Sequence, residues 1–105
     1  MNNEDEKLIA EYMGWFAHPR GFWYDPPVYF ATGVHGNIDF NLNDAGLCVK
    51  EMQRRGDLDY LVTYAEEDTS KQCHTWSQFF AWLFNADNFF EVMAKWLREE
   101  NKCRD

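Results

Sequence analysis

The chain has 105 residues, of which 46% are apolar and 18% aromatic, enough for a single domain with one core and no covalent staples. Its formal charge is -8, a balance that repels nucleic-acid phosphates and favours a basic protein as partner over direct nucleic-acid binding. Cys48, Cys73 and Cys103 are odd in number and never form a C-x-x-C pair, so neither a disulfide framework nor a zinc knuckle is expected.

Met1 is followed by Asn2, Asn3, Glu4, Asp5 and Glu6, the opposite of a basic region leading into an apolar one, which predicts a cytoplasmic protein. The longest strongly apolar stretch, Phe79 to Phe84, is far short of the roughly 20 residues of a membrane-spanning helix, and no membrane contact is expected.

Asn3 to Met13 predicts a first helix, with acids in its first turn and Leu8, Ile9, Tyr12 and Met13 on one face. Asn3 is read as its N-cap, Gly14 as a left-handed stop, and Trp15 as the apolar residue that folds back over the cap. His18 to Pro27 is rich in breakers and reads as a loop carrying Phe22, Trp23 and Tyr24. Val28 to Val34, a turn at His35-Gly36-Asn37, and the alternation of Ile38, Phe40 and Leu42 predict a β-hairpin. A second helix follows from a cap at Asn43 to Arg55, stopped by Gly56.

Leu58, Tyr60, Val62 and Tyr64 alternate with Asp59, Leu61 and Thr63 as in a half-buried third strand, and Glu66 to Lys71 reads as the turn after it. Gln72 to Asn85 fits two periods. Trp76, Phe80, Trp82 and Phe84 suit a strand, whereas Trp76, Phe79, Phe80 and Leu83 suit a helix; we read it as a strand. Asp87 begins a final helix to Lys102, with Phe89, Val92, Met93, Trp96 and Leu97 as its apolar stripe. The expected fold is α+β in the order α-β-β-α-β-β-α: one domain over residues 1–105, with a four-stranded, largely antiparallel sheet and three helices.

The segment Leu8-Ile9-Ala10-Glu11-Tyr12-Met13-Gly14-Trp15, followed by an aromatic loop with Trp23-Tyr24-Asp25, resembles the phage ABA sandwich family. The likeness covers the first quarter of the chain. That family brings no assigned activity and no agreed functional residues, so no residue role is carried over. What the resemblance implies is a phage or prophage setting inside a host cell, where small accessory proteins often antagonise defence systems, CRISPR among them.

Catalytic chemistry finds little footing. Cys73 and His74 are adjacent, and neighbours on a strand point to opposite faces. His18, His35, His74 and the cysteines share no ligand spacing. Gly33-Val34-His35-Gly36 lacks the lysine and the strand-to-helix setting of a phosphate loop. Glu66-Glu67-Asp68 lacks the alternate ligands and central glycine of a calcium loop. No enzyme, cofactor or metal is expected.

The acid surplus is local. Acids exceed bases by five (eight against three) within residues 36–70, and Asp57, Asp59, Glu66, Glu67 and Asp68 fall in a stretch without Lys or Arg. These five carboxylates, with Trp23 and Tyr24 as aromatic anchors, are the candidate partner-binding residues. The alternative roles are a solvated turn for the acids and core packing for the aromatics, while His18 and Arg20 leave a stacked nucleotide open beside that loop. The first functional expectation is a phage-encoded inhibitor, anti-CRISPR activity included. It would set the acidic hairpin into the nucleic-acid channel of a basic host defence enzyme. The second is a self-associating accessory protein, favoured if the chain carries more Trp and Phe than one small core buries.

Overall fold

The computed structural model describes residues 2–26, 37–69 and 75–103, without the side chains of residues 68, 69, 102 and 103. In chain order the described elements are α1 (Asn3–Met13), β1 (Phe16–Ala17), β2 (Trp23–Tyr24), β3 (Asn37–Ile38), α2 (Leu42–Arg55), α3 (Leu58–Thr69), α4 (Trp76–Leu83) and α5 (Ala86–Cys103). The expected four-stranded sheet with three helices is therefore wrong. Five helices and one small antiparallel sheet, ordered β1-β2-β3, take its place among the described residues.

The centre of the fold is α5. Phe89, Phe90, Val92, Met93, Ala94, Trp96 and Leu97 are all buried, because α5 packs against each of the other four helices. Its apolar stripe is the one read from sequence, widened by Phe90 and Ala94. The first turn is capped by Asn85, whose side-chain oxygen accepts from the amides of Asp87 (3.0 Å) and Asn88 (3.4 Å). Asp87, expected as the cap, sits inside the helix.

The bounds of α1 match the expectation, but the cap is Asn2, whose side chain accepts from the Asp5 amide at 2.8 Å. Gly14 takes the left-handed conformation (φ 76°) and the Trp15 amide donates back to the Ala10 carbonyl at 2.8 Å, burying Trp15 in the core with Ile9 and Ala10. A short hairpin follows. Phe16 pairs with Tyr24 and Ala17 with Trp23, and Trp23 pairs on its other side with Ile38. The expected strand from Val28 to Val34 and the first two residues of the expected His35-Gly36-Asn37 turn lie outside the described residues, while Asn37 is the first residue of β3, not part of a turn. The alternation through Phe40 and Leu42 does not continue as strand beyond Ile38.

Phe40 explains that stop. It is a non-glycine residue with φ 55°, a conformation that costs about 1 kcal/mol. The turn sends its ring inwards, edge-on to Trp15 (6.0 Å) and Phe90 (5.2 Å). Asp44 holds the same turn: its carboxylate, buried at the start of α2, accepts from the amides of Asp39 (2.8 Å) and Asn41 (3.3 Å). The Asn41 side chain accepts from the Asp44 amide in return, a reciprocal capping box. Asn41, not Asn43, is thus the cap of α2. Gly56 ends it in the left-handed conformation, as expected.

Leu58 to Ala65 is helix, not strand. Leu61 and Ala65 are buried, with Leu58 and Val62 packed against them, and this i, i+3, i+4, i+7 stripe faces α5 and α2. A strand would have kept Tyr60 on the same side as Leu58 and Val62, yet Tyr60 is 67% exposed. Helix continues through Glu66 to Thr69, where a turn was expected. From Trp76 the Trp-rich segment is helix as well; of the expected strand, Gln72 to His74 lie outside the described residues. No helix among the described residues is long and apolar enough to cross a membrane.

Candidate functional site

Helix α4 has no charged residue and is apolar on two sides: Trp-Ser-Gln-Phe-Phe-Ala-Trp-Leu. Thr75 caps it, its hydroxyl accepting from the Gln78 amide at 3.2 Å. Phe79 and Leu83, four residues apart, are buried against the rest of the fold. Once that face is satisfied, the helical period places Trp76, Phe80 and Phe84 along another side. They are 62%, 40% and 63% exposed.

These three side chains form a ladder. Trp76 and Phe80 stack with centroids 5.7 Å apart and planes 24° apart, and Phe80 and Phe84 stack at 6.1 Å and 23°. The Phe84 amide donates to the Phe80 carbonyl, which fixes the third ring in the helical register although Phe84 lies just past the helix. Stacking favours this arrangement by about 0.5–1.5 kcal/mol per pair and so reduces the side-chain freedom lost when a partner covers the rings. Ser77, Gln78, Ala81 and Asn85 are exposed around the ladder. This surface can bind by desolvation, and α4 itself carries no carboxylate, imidazole, amine or thiol.

The expected partner-binding residues are dispersed. Asp57 is half-buried and accepts the Tyr12 hydroxyl at 2.7 Å. Beside it the Arg55 guanidinium lies 4.1 Å from the Tyr12 ring centroid and donates to the Tyr12 carbonyl (2.7 Å) and to Glu51 (2.8 Å). Burial and the Asp57 hydrogen bond push the Tyr12 phenol above its ordinary range. These groups border a groove of about 420 Å³ walled by Leu8, Trp96 and Leu97. Their polar atoms are largely engaged with one another, tying the end of α1 to the α2–α3 corner. Asp57 therefore serves the fold, not an open acidic surface.

The remaining acids lie on a helix rather than a hairpin. Asp59 and Glu67 are exposed and Glu66 is half-buried; seven residues separate Asp59 from Glu66, which puts them on one side of α3 with Thr63 between. Asp68 lies in the last part of α3 and its side chain is outside the described residues. Trp23 and Tyr24 sit half-buried in the central strand. Trp23 packs against the core, and Tyr24 lies edge-on to Phe16 (6.2 Å) and His18 (5.8 Å). The structure does not bring these aromatics together with the acids of α3 into a described site.

Cys48 is buried and its thiol is pushed up to about 12, by burial first and by Asp44 second. Cys73, His74 and His35 lie outside the described residues. Among the described residues no three His, Cys, Asp or Glu side chains come together to hold a metal ion.

The ladder was missed because a strand reading puts Trp76, Phe80 and Phe84 together with Trp82 on one face and leaves none of them outside the sheet. The signal that finds it is two superposed four-residue spacings, Phe79 with Leu83 and Trp76 with Phe80 and Phe84: one covers the core, and the other stays exposed among the described residues.

Comparison of the chain with family models, with curated proteins and with solved structures finds no match. The resemblance of Leu8 to Trp15 to the phage ABA sandwich family thus rests on that segment and the loop after it alone.

Proposed function

We propose that this chain is a non-catalytic binding protein that works by protein–protein contact, with the outer face of α4 as its contact surface. The observation that carries this reading is the exposed stack of Trp76, Phe80 and Phe84. Taking about 200–250 Å² for a fully exposed aromatic side chain, the three leave roughly 350 Å² of aromatic surface in water. Contiguous apolar surface of this size is often a functional contact on a small protein. Aromatic residues are also the commonest energetic anchors of interfaces.

A second reading, the inhibitor that occupies a basic nucleic-acid channel, is supported by Asp59 and Glu67 exposed on α3 beside Tyr60. Both acids lie in the segment without Lys or Arg. In this reading a helix, not a hairpin, presents the carboxylates, and a phage or prophage setting supplies the host defence enzyme as target.

Affinity capture from host lysate separates the two. Bait carrying Trp76→Ser and Phe84→Ser should lose the partner that wild type recovers, at low and at high salt alike. Bait carrying Asp59→Asn and Glu67→Gln should lose it only if the acidic face is the contact, and that contact should weaken as salt rises. Undiminished recovery by the Trp76→Ser, Phe84→Ser bait would remove the ladder from consideration.

A further inference from the structure

The proteins an aromatic helix face accepts are narrowed here by charge, spacing and area. From Thr75 to Ala86 the chain has no charged residue, in a protein that carries -8 overall. Of the five described helices α4 is the one without a charge. The net charge lies wholly in residues 1–70, thirteen acids against five bases; two copies repel each other there, and a face without charge is where they approach at least cost. The helix that bears the ladder supplies no carboxylate for a basic partner to pair with.

The ladder is also matched to itself. Its rings are evenly spaced at Trp76, Phe80 and Phe84, and a two-fold axis through the middle ring sets Phe80 on Phe80 and Trp76 of each copy against Phe84 of the other. This is the self-complementarity that a two-fold contact requires. With the two helices antiparallel, each copy contributes roughly 350 Å² of aromatic surface. That is less than half of the roughly 800 Å² per partner in a standard interface, so Ser77, Gln78, Ala81 and Asn85 form its rim and the contact is a weak one.

We infer that the ladder's occupant is a second copy of this chain, α4 packed on α4 about a two-fold axis at Phe80. The inference rests on the protein-contact reading above and names its partner. The dimer forms with a dissociation constant in the micromolar range or weaker. It strengthens as salt rises, because salt screens the repulsion between two acidic copies while the uncharged contact has no attraction to screen. A contact between the acidic side of α3 and a basic partner has the opposite salt dependence.

The symmetry gives the test. Phe80→Glu and Phe80→Lys each place two like charges face to face across the axis, whereas an equimolar mixture pairs Glu with Lys. Sedimentation equilibrium on the full chain, from about ten micromolar to about one millimolar, should show wild type moving from 12.5 kDa towards twice that mass, further at high salt. Each Phe80 variant alone should stay monomeric, and the mixture should recover dimer. Because Phe80 is 40% exposed and partly supports the fold, Trp76→Ser, at the more exposed end, is the second variant and should weaken dimerisation at least tenfold with an unchanged far-UV spectrum.

A wild-type chain that is monomeric throughout this range overturns the inference. So does a dimer that survives Trp76→Ser unchanged, and so does a monomer whose ladder binds phosphatidylcholine vesicles instead. If monomeric wild type still captures another protein through Trp76 and Phe84, the second copy is refuted while the protein-contact reading stands. If it captures nothing, both fall.

Discussion

Helices α4 and α5 are both built on aromatic residues, yet they end in opposite situations. The longer α5 is surrounded by four helices and buries Phe89, Phe90 and Trp96. The shorter α4 covers part of α5 and α3 with Phe79 and Leu83 and holds Trp76, Phe80 and Phe84 in water. The difference is one of covering, not of composition. An aromatic ring stabilises this fold only where other elements close over it, and where none does its free energy of burial is left for a partner.

The largest effect that sharpens this contrast is expected at Phe90, which is 1% exposed. Phe90→Ala should lower unfolding free energy by about 3–5 kcal/mol, through lost burial and the cavity it leaves. Phe84→Ala, at an equally aromatic but exposed position, should change it by less than about 0.5 kcal/mol. Urea melts of the two variants at a concentration where the chain is monomeric check both; a similar loss at both sites would break the contrast.

Next in size is the turn that leads into α2. Asp44→Ala removes the acceptor for the Asp39 and Asn41 amides and should cost about 1–2 kcal/mol. The same melts report it, and Asn43→Ala should be nearly silent because Asn43 is exposed and is not the cap.

A smaller effect is expected at the Tyr12 cluster. Tyr12→Phe leaves the half-buried Asp57 carboxylate without the hydroxyl donor and should cost about 1 kcal/mol. The Tyr12 phenol is held in its neutral form by burial first and by Asp57 second, so its folded pKa is raised. Its contribution is therefore complete below the ordinary tyrosine range and is lost as pH rises above it. Stability curves from pH 8 to 11 should fall more steeply for wild type than for Tyr12→Phe.

The smallest is at Glu51, lowered to about 2 by hydrogen bonds from Arg54 and then Arg55. A depressed carboxylate contributes above its ordinary value of 4.5 and loses that contribution as pH falls to about 2. The cluster is at the surface and screened by water, so Glu51→Gln should flatten the acid limb only slightly, most visibly at low salt.

Much of the scaffold was readable in the sequence. The bounds of α1, the left-handed stops at Gly14 and Gly56, and the stripe of α5 follow from capping chemistry and a clean 3.6-residue period. The N-caps of α1, α2 and α5 lie one or two residues before the expected ones, and the larger errors fall where two periods coexist. In α3, Leu58, Tyr60, Val62 and Tyr64 imitate a strand while Leu58, Leu61, Val62 and Ala65 make the helix, and only tertiary covering of Leu61 and Ala65 decides between them. The same ambiguity in α4 concealed the ladder, because residues that belong to no core are indistinguishable by type from those that do. Of the acids of the 57–68 segment, Asp59 and Glu67 are exposed, but Asp57 is drawn inwards by Tyr12, forty-five residues away, a contact that no local pattern announces.

The most direct measurement is the solvent exposure of the five indole rings in one spectrum. With 5-fluorotryptophan incorporated, and the signal of Trp76 assigned through Trp76→Phe, the fluorine shift on changing H2O for D2O reports water at each ring. In dilute protein Trp76 should show a large isotope shift while Trp15 and Trp96 show almost none, and the Trp76 shift should shrink as protein concentration rises. A Trp76 ring as dry as Trp15 in dilute monomer would contradict the account, because the ladder would then belong to the core and offer no face to bind.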